Sequence, residues 1–319
     1  MKRAALLSVL LVGSMLASCS YLAVLTAPKK VASTERTPAA LQADDLFWKT
    51  LHGGHYDDIQ AGLEAETAAY LASPSDAKTA AHVGWLHIWR IAERDRLAVR
   101  PATITDEMTL SRKYFSEAVA LDPADARYLG FLASATLGEA SIHKDEDDTR
   151  RGYYMMLDAI KAWPEFNLFT GGYTMSAQPV ASDRFHEALD WQWRTLDDCT
   201  GEKVDRTTGA YGKYMPLETQ QGEKRVCWNS WIAPHNFEGF FLDMGDLVVK
   251  SGDWKLGQKI YADARLSKTY PQWPFRDALE TRIRDAADNV AAFNDRKASG
   301  DDKRIMNSTS FACMACHQE

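Results

Sequence analysis

The 319-residue chain has no apolar run long enough to cross a bilayer: the stretch from Ala4 to Ala17, broken only by Ser8, Gly13 and Ser14, falls short of the roughly 20 residues a spanning helix needs. A polytopic membrane protein is excluded. Basic runs interleaved with aromatics are also missing, and the net charge is −7, so nucleic acid is not an expected partner. Alternation of apolar and polar residues never persists, which removes strands as a major element. No Ser-His-Asp order, phosphate loop or metalloprotease helix occurs, and those enzyme classes go with them. Cysteine is scarce, with five in the whole chain, so each one has to be accounted for.

The sequence does contain the material of a globular core, with 45% hydrophobic and 25% charged residues. From about Asp45 to Asn294 the apolar spacing is helical. Leu110, Tyr114, Ala118 and Leu121 share one face, and Tyr128, Phe131, Leu132 and Ala135 share the next. A small residue, a bulky one, Ala and then Pro recur at fixed offsets: Ser111, Phe115, Ala118 and Pro123, then Gly152, Met156, Ala159 and Pro164. Gly62, Ala69 and Pro74 repeat it with Glu66 in the bulky place, and Gly257, Tyr261, Ala264 and a late Pro271 form a looser fourth copy.

This pattern resembles the second helix of tetratricopeptide repeats, where small residues let paired helices approach and proline ends the helix. The resemblance implies an all-α fold of irregular tetratricopeptide-like hairpins and, by analogy, a concave surface that docks proteins. The spacing between the first three prolines, 49 and then 41 residues, departs from that family's period of roughly 34. A segment from about Thr200 to Val226, rich in Gly, Lys, Thr and Glu, interrupts the helical texture and reads as a surface excursion.

At the start of the chain Met1-Lys2-Arg3 precedes the apolar stretch, and Leu16-Ala17-Ser18-Cys19 follows it. This resembles the lipobox of bacterial lipoproteins. The resemblance implies that residues 1–18 are a signal peptide, that Cys19 is acylated, and that 19–44 form a flexible spacer between lipid and body. Ser20 stands where that family places an Asp for inner-membrane retention, which points to the periplasmic face of the outer membrane. The protein is expected to be tethered rather than spanning.

Export implies an oxidising compartment, so Cys199 and Cys227, which bracket the excursion, are expected to be bridged. Cys313-Met314-Ala315-Cys316-His317 is the Cys-x-x-Cys-His attachment sequence of c-type haem. Two thiols would bond the porphyrin, and His317 would be an axial ligand of the iron. A thioredoxin-like pair would need a strand-to-helix context that is missing. Residues 295–319 thus read as a linker and haem-bearing tail appended to the helical body.

Only Gln318 and Glu319 follow His317, so the sixth ligand is expected from upstream, from another molecule, or not at all. Cytochromes of the c-prime class are similar in carrying the motif near the C-terminus of a helical bundle, often with an open distal site. His235, surrounded in sequence by Trp228, Trp231, Pro234, Phe237, Phe240 and Phe241, is the first candidate, and Met306 the alternative. His52 and His55 sit in a Gly turn, and His82 and His87 among Trp85 and Trp89 read as helix packing. The expected function is a lipid-anchored periplasmic carrier of single electrons, with one heme c and a protein redox partner. The alternatives are a peroxidase-like or gas-binding haem protein with an open distal site, and a scaffold lipoprotein whose haem is structural.

Overall fold

In the computed structural model, which describes residues 22, 25–295, 297, 303–309, 312 and 314–318, the chain is all-α. Helix accounts for 71% of it, and no strand occurs among the described residues. Residues 1–18, expected above to be a signal peptide, and Cys19 and Cys313 lie outside the described residues. No described helix is long and apolar enough to cross a membrane.

Helix α1 (Pro38–Gly53) begins with Thr37, whose hydroxyl accepts the Ala40 amide at 3.1 Å, and with a proline at its first turn, where a missing donor costs nothing. It stops at Gly54, whose φ of +67° is the left-handed cap that glycine adopts without a Cβ penalty. Antiparallel pairing then proceeds along the chain. α1 packs on α2 (Ile59–Ala72), α3 (Ala77–Ala92) on α4 (Asp106–Leu121), and α5 (Ala126–His143) on α6 (Glu146–Ala162). α7 (Pro164–Met175) pairs with α8 (Asp183–Thr200) and α9 (Asn236–Lys250) with α10 (Trp254–Asp263), while α11 (Arg276–Arg284) and α12 (Ala286–Asn294) complete the body. Asp76, Asp125, Asp145, Ser182 and Asp253 each accept an amide of the helix they precede, satisfying donors that a helix start otherwise leaves bare.

The recurring small residues lie where two helices come closest. The Ser111 hydroxyl donates to the Gly84 carbonyl at 2.9 Å, and a Cβ on Gly152 would meet the Leu137 side chain at 2.9 Å. A Cβ on Gly257 would meet Val249 at 2.4 Å, and one on Gly62 would meet Leu86 at 3.3 Å. The repeat is therefore a packing code for the second helix of each of these hairpins. Glu66, the off-pattern member, is fully buried, for a reason given below.

The structure departs from the sequence reading in three respects. Helix starts at Pro38, inside the stretch expected to be spacer, because the Thr37-Pro38 start signal outweighs the bland composition before it. The Thr200–Val226 segment is irregular as expected, but it is not merely superficial: Val204, Tyr211 and Tyr214 are buried in the same core as Trp228, Phe237 and Phe241. Cys199 and Cys227 are bridged, with Cα atoms 5.8 Å apart.

The third difference is the tail, whose described residues 303–309, 312 and 314–318 are built into the body rather than appended to it. Met314 is buried in the N-terminal core with Phe47, Leu86 and Phe115, whereas Ala315 and Cys316 belong to the C-terminal core with Phe240, Tyr261 and Trp273. Two adjacent positions thus join two cores. Apolar burial at a junction is the driving force, and it outweighs the polar linker that precedes it.

Candidate functional site

The motif residues are held by main-chain contacts that fix where their side chains point. The Trp273 indole donates to the Ala315 carbonyl at 2.7 Å, and the His235 amide donates to the Cys316 carbonyl at 3.2 Å. Cys316 itself is 9% exposed and seats its sulfur against Gly239, where a Cβ would lie 2.4 Å from Sγ. Glycine here is a requirement of the close approach. Burial, then the nearby Asp243 and Glu238 carboxyls, push the Cys316 thiol up to about 12.

His317 donates from Nδ1 to the Ile232 carbonyl oxygen at 2.9 Å. A carbonyl can only accept, so Nδ1 carries the proton. Burial first, and His52 second, push this imidazole down to about 4, which keeps it neutral and leaves Nε2 with a free lone pair. That is the state a metal-ligating histidine needs, with its other nitrogen fixed by an outer acceptor. Trp85 meets the ring edge-on, 5.8 Å away at 88°.

Cys316 and His317 line a cavity of about 1760 Å³, together with Trp48, Trp85, Phe131, Phe166, Phe169 and Phe240. The wall is rich in aromatic side chains and carries both cations, among them Arg127, Arg184 and Arg225, and the carboxylates Asp44, Asp45, Glu146 and Glu165. It exceeds the roughly 300–1,000 Å³ usual for one small ligand. A flat apolar macrocycle bearing carboxylates matches this chemistry, and Cys316, His317, Gly239 and Ile232 are the residues able to hold one.

The other expected ligands fall in different places. Met306 is 1% exposed and on the cavity wall, its amide donating to Asp246 Oδ2 at 2.6 Å. Asp246 also takes the Tyr261 hydroxyl at 2.6 Å and lies 3.2 Å from Arg282 Nε. His235 is 3% exposed, but its ring turns to Glu238, 3.3 Å from Nδ1, and it is not among the lining residues. Its aromatic neighbours Trp228, Trp231, Phe237, Phe240 and Phe241 do reach the cavity wall, but the His235 ring itself turns away from it. His52 Nε2 lies 3.4 Å from the same Ile232 carbonyl that holds His317, while His55 is exposed beside Asp58.

A second cluster emerges that the sequence did not announce. His82 Nδ1 lies 3.0 Å from Asp44 Oδ1 and 2.9 Å from Glu66 Oε1, and its ring stacks on Phe47 at 3.8 Å. Arg36 grips Asp44 and Asp76, and Lys78 reaches Asp44 at 2.8 Å. The ligand atoms of Asp44, Glu66 and His82 lie within 4.8 Å of one another, yet Asp44 is already occupied by cations. Three carboxylates against two cations leave one negative charge, and a proton on His82 neutralises it. The cluster is therefore a clamp tying the segment before α1 to α2 and α3. Its only sequence signal was Glu66 in an apolar position.

This clamp has a pH dependence with a definite sign. Burial alone would lower His82, but Asp44 and Glu66 hold it above its ordinary 6.5. Burial would raise Asp44, but His82, Arg36 and Lys78 hold it well below its ordinary 3.8. A raised histidine gives stability that is full below 6.5 and lost as pH climbs through the folded-state value. A depressed carboxylate gives stability present above 3.8 and lost as pH falls. We expect the wild type to weaken from neutral toward alkaline pH and His82→Gln to lack that limb. Urea midpoints measured across pH test this, and parallel profiles would exclude it.

Comparison of the chain with protein-family models, with curated proteins and with solved structures finds no match in any of the three.

Proposed function

We propose that this chain is an exported lipoprotein, anchored through Cys19 at the periplasmic face of the outer membrane, that carries one covalent heme c on Cys313 and Cys316 and passes single electrons to or from a protein partner. Its hairpins, in this reading, are an irregular tetratricopeptide-like array. The observation that carries the proposal is the His317 imidazole, its Nδ1 on the Ile232 carbonyl, beside Cys316 on the wall of a large cavity rich in aromatic side chains.

Bound haem would supply the one-electron chemistry. The chain's own residues do the placing. Ile232 fixes the imidazole plane, Gly239 admits the sulfur, and Trp273 and His235 hold the backbone between them. The aromatic side chains of the wall would face the apolar macrocycle, and the wall arginines would suit its propionates.

His235 lies off the cavity wall, and this favours a second reading in which the sixth position is open or taken by Met306. The test is the full-length protein made with a periplasmic haem-maturation system and read by its oxidised and reduced spectra after acid extraction. Haem retained covalently in the wild type, lost in Cys316→Ser and misligated in His317→Ala, is the expected result. A wild type without covalent haem would overturn the proposal. Carbon monoxide binding to the reduced protein would select the open-site reading.

A further inference from the structure

We propose that Trp231 is the residue through which the haem electron reaches the protein surface, an inference that rests on the cytochrome reading above. Trp231 is 61% exposed and directly precedes Ile232, whose carbonyl oxygen is the acceptor for His317 Nδ1–H at 2.9 Å. The path from the His317 imidazole to an indole in solvent is thus one hydrogen bond and the bonds of two adjacent residues. The large aromatic side chains on the cavity wall, Trp85, Phe131, Phe166 and Phe169, are all less exposed than Trp231.

The indole is also held, which a route needs and an incidental surface residue does not. Trp48 meets it edge-on at 4.6 Å and His52 at 5.6 Å, both at 90°. A tight turn fixes its backbone: the Ser230 amide donates to the Ala233 carbonyl at 3.3 Å, the Asn236 amide to the same carbonyl at 3.2 Å, and the Ala233 amide to the Ser230 hydroxyl at 3.4 Å. Single exposed apolar residues are ordinary on protein surfaces. An exposed indole clamped by two rings, one residue from the outer partner of a proposed iron ligand, is a more specific arrangement.

In the step itself, ferrous haem gives one electron to a one-electron oxidant and becomes ferric. The imidazole and indole carry it without gaining or losing a proton, and the indole is not itself oxidised. In the test the oxidant is tris(phenanthroline)cobalt(III), which is reduced to cobalt(II).

The experiment is stopped-flow oxidation of the reduced, haem-loaded full chain by this complex. For Trp231→Ala we expect a second-order rate about tenfold lower, within the one to three decades over which rates vary among variants of one contact surface. Trp231→Phe should keep most of the rate, and Tyr154→Ala, at another exposed aromatic with 64% exposure, should keep all of it. Optical spectrum and reduction potential should not change in any variant, which separates a route from a merely structural role. An unchanged rate in Trp231→Ala overturns the inference, as does a lower rate that comes with a shifted potential or spectrum. A wild type that carries no haem sinks the cytochrome reading first. Haem with an indifferent Trp231 sinks this inference alone.

Discussion

Replacing Asp246 with alanine is expected to destabilise the protein by about 3–5 kcal/mol, the scale for removing one member of a buried ion pair. Asp246 is fully buried, lies 3.2 Å from Arg282 Nε, accepts the Tyr261 hydroxyl, and takes the Met306 amide at 2.6 Å. Arg282 in turn donates to the Arg304 carbonyl. One carboxylate therefore joins α9, α10, α11 and the tail. Because it holds the tail as well as the body, the loss should also appear as faster amide exchange across 303–318. Adding Arg282→Met should recover part of the stability, since it replaces the other member of the buried pair with an apolar side chain that fills its space. Denaturant midpoints at constant slope measure both effects. A shift below about 1 kcal/mol, the scale of a surface pair, would mean the pair is not desolvated as drawn.

That the tail is integral could not be read from its composition. Asp301, Asp302 and Lys303 are as polar as any linker, and the residues that bind the tail, Asp246, Trp273 and Gly239, are many positions away along the chain. What could be read was local. The helical spacing from Asp45 to Asn294 is legible, and each small residue of the repeat does face a neighbouring helix, whereas the Thr37-Pro38 start is lost in the bland composition around it. The contiguous motif at Cys316 and His317 carries its own spacing, and compartment arithmetic left Cys199 and Cys227 for each other.

His235 shows the limit of this reasoning. Aromatic neighbours in sequence place the cavity wall, since Trp228, Phe237, Phe240 and Phe241 line it, but not the direction of the imidazole between them, which turns to Glu238. His82 shows the converse. A histidine on an apolar helix face suggested packing, and its stack on Phe47 bears that out, but its carboxylate partners come from two other helices and only folding brings them together.

Substituting both Cys199 and Cys227 with alanine is expected to cost about 3–4 kcal/mol on the chain-entropy model. The bridge spans 28 residues. Reduction frees the longest irregular segment of the body, which nevertheless contributes Val204, Tyr211 and Tyr214 to the core, with Tyr211 5.3 Å from Phe241. Opening the loop should therefore loosen packing as well as raise unfolded-state entropy. The effect should also reach the candidate site. Cys227 leads directly into Trp228, which stacks on Phe237 at 5.8 Å, and a few residues on the same strap carries Ile232, the acceptor for His317. We expect exchange at residues 228–235 to rise before the α1–α4 helices respond, and non-reducing peptide mapping of the wild type to recover the Cys199 and Cys227 peptides joined. Two free thiols in oxidised protein of full stability would contradict the bridge, and an unchanged strap in the double variant would show that Trp228 and Phe237 hold Ile232 in place without it.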